Sequence, residues 1–324
     1  MSGSSGVARF WQERSAWTLV LTCIFVVILG TLRGNDVSGM APEAFWAMKS
    51  EWKNQADIVF LGNSRTVEGI SPAAMQHSLP NSRILNYGID AVNYTEPYLR
   101  MVDELVEKNS LQPVVVLGVS PLTLTDSILY TDGFTALITD EKKSRLGSHF
   151  AMLRRFFMPI TTRELINSLG PDDRAYHRYR RYHRTGWRES YNIPEDPSET
   201  MAFYSTLFEM DRNGPPRREV ADHLIAAISR WVAQGIRVYG FRPPTCEAMI
   251  ALEDAQAHWD EDEFIGRFEM AGGSWISLDE DAYHTYDNCH LDSESAKLLS
   301  VHLAARIATN LPVPDEVSKA FPRR

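Results

Sequence analysis

Three side chains in this sequence have the types and the order needed for nucleophilic acyl transfer. Ser64 comes just after residues 57–62, where four consecutive apolar residues ending at a glycine are typical of a buried strand. Asp287 lies three residues before His290, ahead of a segment, 293–310, with apolar residues at helical spacing. A histidine oriented by a carboxylate can take the proton of a serine hydroxyl. We therefore predict Ser64 as nucleophile, His290 as general base and Asp287 as the orienting carboxylate.

Two of these assignments have rivals within the sequence. Ser64 could simply cap the helix that follows the strand. His284 lies six residues before His290 and is a rival base.

The sequence shows no cluster of histidine, cysteine and carboxylate side chains with metal-ligand spacing, so we predict no metal site. It also lacks a Gly-x-Gly-x-x-Gly fingerprint and a phosphate-loop lysine motif, so we expect no nucleotide cofactor.

Strand and helix patterns alternate along most of the chain. The predicted strands are five short runs, at 57–62, 83–87, 113–118, 236–241 and 274–278. The predicted helices between and around them are at 42–54, 71–79, 94–109, 217–234, 253–270 and 293–310. This alternation predicts an α/β fold with a doubly wound, five-stranded parallel sheet covered on both faces. Ligands of such sheets bind beyond the carboxyl ends of the strands, where Ser64 is expected.

Three short blocks of the sequence resemble those of the SGNH hydrolase superfamily. They are Gly62-Asn63-Ser64-Arg65, Asn86-Tyr87-Gly88 and Asp287-Asn288-Cys289-His290. The resemblance covers residues 55–311 and implies a three-layer, flavodoxin-like domain with serine esterase activity. It also implies that the backbone N–H groups of Ser64 and Gly88 donate to the oxyanion that develops during acyl transfer.

One block of that family is altered here. The family pattern Gly-x-Asn-Asp corresponds to Gly118-Val119-Ser120-Pro121 in this sequence. The usual asparagine donor is thus replaced by Ser120, or its role moves to Asn63 or Asn93.

Two arginines follow predicted strands on the side of the site. Arg65 and Arg242 are candidate substrate-binding residues, together with Asn93, because a guanidinium group can hold a carboxylate or a phosphate. Each arginine could equally brace a loop through a salt bridge.

An uncharged apolar run, 15–32, lies near the N-terminus between Arg14 and Arg33. At about 1.5 Å per residue it spans roughly 27 Å, enough for a bilayer core, which predicts a retained membrane anchor. A cleaved signal peptide and a buried core helix are the alternatives. We expect the catalytic domain on the extracytoplasmic side.

The predicted organisation is a cytoplasmic tail (1–14), a transmembrane anchor (15–33), a connector (34–56), the SGNH-like domain (57–311) and a C-terminal tail (312–324).

A long insertion, 121–216, interrupts the α/β alternation and is predicted to form a cap over the site. Within it, residues 174–188 carry six arginines, two histidines and four aromatic residues. Such a stretch could hold an anionic glycan or a lipid headgroup, or form a solvated segment with internal salt bridges.

The net charge of the whole chain, -9, argues against general nucleic-acid binding.

Cys246 and Cys289 both follow predicted strands and are expected at the same edge of the sheet. They could form one disulfide bond or remain two buried thiols. Cys23 lies within the apolar run, where it acts as a small hydrophobic residue.

A closer resemblance joins the anchor, the Gly-Asn-Ser-Arg block, the Arg-Pro-Pro sequence at 242–244 and the Asp-x-x-His-Leu motif. This combination is similar to SGNH-like proteins that accompany membrane-bound O-acyltransferases, including those of alginate acetylation and teichoic-acid D-alanylation. It implies acyl transfer to, or removal from, an envelope glycan, with a membrane-bound O-acyltransferase as partner. The alternative is a catalytically silent SGNH-fold module that binds a glycan or that partner.

Overall fold

A five-stranded parallel sheet is the centre of the fold. The computed structural model describes residues 15–25, 40, 42–107, 110–124, 133–135, 137, 180–190, 197–210 and 218–309. Their strands are β1 (Ile58–Leu61), β2 (Ile84–Asn86), β3 (Val114–Gly118), β4 (Arg180–Tyr182), β5 (Arg188–Ser190), β6 (Arg237–Phe241) and β7 (Ser274–Trp275). The main sheet has the order β2-β1-β3-β6-β7, and all of its pairings are parallel. The prediction of an α/β fold with five parallel strands is confirmed.

Both faces of the central strands are buried. Alternate side chains of a strand point to opposite faces of its sheet. On one face, Val59, Val115 and Val238 belong to a large apolar cluster, whereas on the other face Phe60 and Val116 belong to a second cluster. Two covered faces explain why the sequences of β1 and β3 are continuous apolar runs rather than alternating patterns.

Nine α-helices have both of their ends within the described residues between 42 and 309. They are α1 (Pro42–Glu51), α2 (Ser64–Gly69), α3 (Pro72–Met75), α4 (Glu96–Leu105), α5 (Pro197–Met210), α6 (Arg218–Ala233), α7 (Glu247–Ala257), α8 (Glu261–Met270) and α9 (Ser293–Thr309). The acidic helical stretch predicted around 253–270 is divided between two helices, α7 and α8, and α7 begins earlier, at Glu247. His258 adopts a left-handed conformation with φ +47°, which ends α7, and Asp260 then caps α8 by accepting the N–H of Glu263.

The helix α1, in the predicted connector, packs against the sheet and the hairpin formed by β4 and β5. The Lys49 Nζ donates to the carbonyl of Gly88 at 2.6 Å, and the ring of Trp52, the first residue after α1, lies 6.2 Å from the Tyr87 ring. The Phe45 ring contacts the Tyr182 ring of β4 at 5.1 Å. The helix α1 is therefore part of the same packed unit as the residues that follow it.

The β4–β5 hairpin, from the predicted insertion, covers the outer edge of β2. The Asn86 N–H of β2 donates to the Thr185 carbonyl at 2.9 Å, and Trp187 Nε1 donates to the Glu68 carbonyl at 2.7 Å. Covering an edge strand in this way hinders its pairing with another chain.

The arginine-rich stretch is described from residue 180 onward, and residues 174–179 lie outside the described part. Arg180 forms an ion pair with Glu68 at 3.5 Å, and Arg181 with Glu189 at 3.9 Å. Arg188 is buried and pairs with Glu68 at 2.7 Å. These three arginines have internal carboxylate partners, as the salt-bridged alternative expects.

The predicted membrane anchor is described only over residues 15–25, which form a helix exposed along its whole length; the remaining residues, 26–33, lie outside the described part. Trp17, Leu19 and Phe25 are among its exposed apolar side chains. No helix in the described ranges combines the length and apolar character needed to cross a bilayer.

The packing of Trp52, the first residue after α1, leads to a prediction about stability. Trp52 is 5% exposed, so Trp52→Ala should lower the free energy of unfolding by about 3–5 kcal/mol through lost burial and the cavity that it leaves. Lys53→Ala is the matched control, because the neighbouring Lys53 side chain is 65% exposed; it should change that free energy by less than about 0.5 kcal/mol. Urea unfolding followed by circular dichroism measures both, and equal stabilities would show that Trp52, the first residue after α1, is not packed in the core.

Candidate active site

The turn that presents Ser64 depends on close packing at the end of β1. Gly62 has φ +152°, and a Cβ there would lie 2.1 Å from Thr66 Oγ1. Asn63 caps α2, since its Oδ1 accepts the N–H of Arg65 at 3.1 Å. Ser64 is the first residue of α2, at the predicted strand-to-helix turn, where backbone N–H groups have no intrahelical partner.

The structure brings the three predicted catalytic side chains together. Ser64 Oγ lies 2.8 Å from His290 Nε2, and His290 Nδ1 lies 2.8 Å from Asp287 Oδ2. Asp287 Oδ1 also accepts the backbone N–H of His290 at 2.6 Å and that of Cys289 at 3.0 Å. These bonds fix the carboxylate within its own turn, so that its second oxygen is aimed at the imidazole ring.

The charges around His290 favour its protonated form. Burial by itself would lower the pKa of His290, but the neighbouring charges of Cys289, as thiolate, and Glu68 and the hydrogen bond to Asp287 raise that pKa well above its usual range. Burial opposes ionisation of Asp287, yet hydrogen bonds from His290 and Cys289 lower the pKa of Asp287 overall. Asp287 is thus suited to stabilise an imidazolium cation.

The candidate oxyanion donors differ in their availability. The Gly88 N–H donates to Asn86 Oδ1 at 3.0 Å, while the Asn86 side-chain amide donates to the Thr66 carbonyl at 2.8 Å. The Gly88 N–H is thus occupied by an internal bond that helps to hold α2. By contrast, Ser120 Oγ is buried and has no hydrogen-bond partner among the described residues. Asn93 is half-buried, and its backbone carbonyl accepts from the Thr95 N–H at 2.7 Å.

The two candidate substrate-binding arginines form internal ion pairs. Glu253 lies between them, with Oε1 2.5 Å from Arg65 Nη2 and Oε2 3.1 Å from Arg242 Nη2. Arg242 also pairs with Asp254 and Glu261, both at 2.7 Å. All three members of the Arg65–Glu253–Arg242 cluster are buried, so these charges brace the loops beyond β1 and β6.

The two cysteines near the site lie on adjacent loops but are not bonded to each other. The Cys246 N–H donates to the Asn288 carbonyl at 3.3 Å, which places the two loops side by side as predicted. Both thiols are free. Cys246 Sγ accepts the Met249 N–H at 3.4 Å and caps α7. Two free thiols are therefore the arrangement found, rather than the disulfide bond.

Cys289 was not singled out as a site residue, although it lies beside the base. Its Sγ accepts from Arg65 Nε at 3.2 Å, lies 3.2 Å from the Tyr204 hydroxyl oxygen and lies 4.0 Å from His290 Nε2. Burial opposes ionisation of this thiol, but the charges of Arg65 and His290 lower its pKa overall. Tyr204 belongs to α5, so the predicted insertion contributes a residue to the surroundings of the site.

The rival base, His284, takes another partner. Its Nδ1 lies 2.9 Å from Asp292 Oδ2, and its side chain is largely exposed. Ser64 therefore has His290 as its imidazole partner. Among the residues that the structure describes, no group of three or more histidine, cysteine and carboxylate side chains is arranged to hold a metal ion.

A second carboxylate near the site, Glu68, was also missed by sequence reasoning. Glu68 is buried on α2, four residues after Ser64, and its Oε2 accepts from the Tyr286 hydroxyl and from Ser190 Oγ, each at 2.7 Å. The spacing of four residues, which places both side chains on one helix face, was the available signal.

Comparisons with known proteins found only distant similarity. No protein-family model and no curated protein sequence matches the chain. Est24, a carbohydrate acetylesterase from Sinorhizobium meliloti, is 12% identical with a TM-score of 0.36, over 78% of this chain and 99% of that one. A carbohydrate acetylesterase family member from the same organism is 13% identical with a TM-score of 0.35, over the same shares. An inhibitor-bound aryl esterase from M. smegmatis is 8% identical with a TM-score of 0.33, again over the same shares.

Proposed function

We propose that this chain is a serine esterase or O-acyltransferase of the SGNH hydrolase type. The observation that carries the proposal is the line of hydrogen bonds from Ser64 Oγ through His290 to Asp287, with both side-chain distances at 2.8 Å. The Ser64 side chain is also partly accessible, so a substrate can reach it.

The geometry suits two successive acyl-transfer steps. As Ser64 Oγ attacks the acyl carbonyl carbon, His290 Nε2 takes the serine proton and Asp287 stabilises the resulting imidazolium. Collapse of the tetrahedral intermediate breaks the ester bond, and the departing alcohol oxygen receives that proton from His290. A water molecule or a sugar hydroxyl then attacks the acyl-serine and gives its proton to His290, and collapse of the second tetrahedral intermediate breaks the bond to Ser64 Oγ, which receives that proton from His290. Attack by water gives hydrolysis, and attack by a hydroxyl group gives transfer.

We further propose that the substrate is an acylated envelope glycan and that a membrane-bound O-acyltransferase is a partner. The support is the resemblance of the anchor, the Ser64 block and the Asp287–His290 block to proteins of envelope O-acylation. The alternative of a silent module that binds its ligand through the arginine-rich stretch is less favoured, because Arg180 and Arg181 of that stretch pair with Glu68 and Glu189.

The nucleophile can be tested without knowing the substrate. A fluorophosphonate should label the purified protein on Ser64, and Ser64→Ala should abolish labelling, whereas Ser229→Ala, on an exposed face of α6, should not change it. Because the pKa of His290 is raised above 6.5, the rate of labelling should increase as the pH rises above that value. Labelling that survives Ser64→Ala, in a variant that melts like the parent, would contradict the proposal.

The oxyanion donor gives a second test. Ser120 Oγ has no partner among the described residues, so Ser120→Ala removes no described hydrogen bond and should leave the melting temperature nearly unchanged. If Ser120 donates to the oxyanion, this substitution should lower kcat for p-nitrophenyl acetate by about 100-fold. Ser120→Asn, which restores the residue type of the family pattern, should retain more activity than Ser120→Ala. Equal activity of Ser120→Ala and the parent would exclude Ser120 as the donor.

We also propose that the N-terminal apolar run anchors the chain in a membrane with the catalytic domain outside the cytoplasm. The exposed apolar residues of the 15–25 helix support this proposal. Fractionation of expressing cells should place the chain in the membrane fraction, and a reporter fused after Arg324 should be active only in the extracytoplasmic compartment. Recovery of the uncleaved chain in the soluble fraction would exclude the anchor.

A further inference from the structure

Glu68 is the buried centre of a charge cluster between the candidate nucleophile and the insertion. Its carboxylate pairs with Arg188 at 2.7 Å and with Arg180 at 3.5 Å, both from the β4–β5 hairpin. It also accepts from Ser190 Oγ and from the Tyr286 hydroxyl. The Glu68 side chain has no solvent exposure, so its charge is weakly screened.

Tyr286 connects this cluster to the base. Its hydroxyl donates to Glu68 Oε2 at 2.7 Å, and its ring stacks on the His290 imidazole, with centroids 6.1 Å apart and planes inclined by 20°. The Tyr286 N–H also donates to the His290 carbonyl at 3.1 Å. One side of the imidazole ring is therefore held by a residue that is itself anchored on Glu68.

We propose that Glu68 is a positioning residue that, with Asp287, stabilises the His290 cation, and that the β4–β5 hairpin sets the strength of this effect through its arginines. Glu68 touches no reacting atom; it acts through its charge and through Tyr286. This inference deepens the proposed function and rests on it for its kinetic test. A substrate or partner that moves the hairpin would alter the basicity of His290.

The groups that surround the two residues set the direction of the expected effects. Arg180 and Arg188 face Glu68 from the hairpin, and Tyr286 faces it from the turn before α9. His290 is faced by Asp287 and Cys289 from its own turn and by Glu68 from α2, with Arg65 and Tyr204 behind Cys289. Negative charge at Glu68 favours the imidazolium, and positive charge at Arg180 partly cancels that effect.

The test compares three substitutions in the full-length chain. Glu68→Gln removes the negative charge, so the midpoint of the His290 titration, the pH at which half of the imidazole has lost its proton, should fall. At a pH below the midpoint of the parent, more of His290 is then neutral, and fluorophosphonate labelling should become roughly tenfold faster. Arg180→Gln removes a neighbouring cation, so labelling at the same pH should become slower. Glu189→Gln is the matched control, because Glu189 is a buried carboxylate of the same hairpin that bonds to His183 and Ser293 instead. It should leave the midpoint unchanged.

The second readout is the titration of the His290 imidazole by NMR in protein labelled at histidine, with its resonance assigned through its loss in His290→Asn. It does not require activity, so it tests Glu68 even if Ser64 is never labelled. Opposite shifts of the midpoint in Glu68→Gln and Arg180→Gln would support the proposal, and an unchanged midpoint in both would overturn it. If Glu68→Gln does not fold, Arg180→Gln decides alone: an upward shift supports the proposal and an unchanged midpoint overturns it.

Discussion

The close approach of α2 to the ends of β1 and β3 is the constraint on which the site depends. A Cβ at Gly62 or Gly118 would lie 2.1 or 2.3 Å from Thr66 Oγ1, so only glycine at both strand ends lets the Thr66 side chain sit between them. With Thr66 in that position, α2 begins directly at the end of β1. Ser64, two residues earlier, then lies at the carboxyl edge of the sheet within reach of the turn that carries His290.

Buried carboxylates hold the surrounding elements in place. Glu253 joins Arg65 to Arg242, and Glu68 joins α2 to Arg180 and Arg188 of the hairpin. Removing one partner of a buried ion pair leaves an uncompensated charge, which destabilises a fold strongly even where the intact pair adds little. These two clusters therefore tie α2 to the hairpin and to the loop that follows β6.

The same clusters set the electrostatics of the site. Glu68 and Asp287 place negative charge near the imidazole, and Arg65 lies behind the Cys289 thiol. The hydrogen bond from Ser64 therefore ends at a base whose protonated form is favoured by its surroundings. Since the hairpin provides two of the cations around Glu68, the insertion is part of the chemical environment of the site.

Local pattern was sufficient to predict the five strands and the three members of the candidate triad. The apolar runs of β1 and β3 are read directly from the chain, and the order of Ser64, Asp287 and His290 follows from short motifs. The partners of Arg65 and Arg242 were not predictable, because Arg65 and Glu253 are 188 residues apart and no periodicity relates them. The tertiary structure alone decided that the Gly88 N–H is occupied, that Cys246 and Cys289 bond to different groups, and that Glu68 lies between the hairpin and the base. Strand and turn signals arise from neighbouring residues, whereas ion pairs and thiol contacts depend on how distant segments pack together.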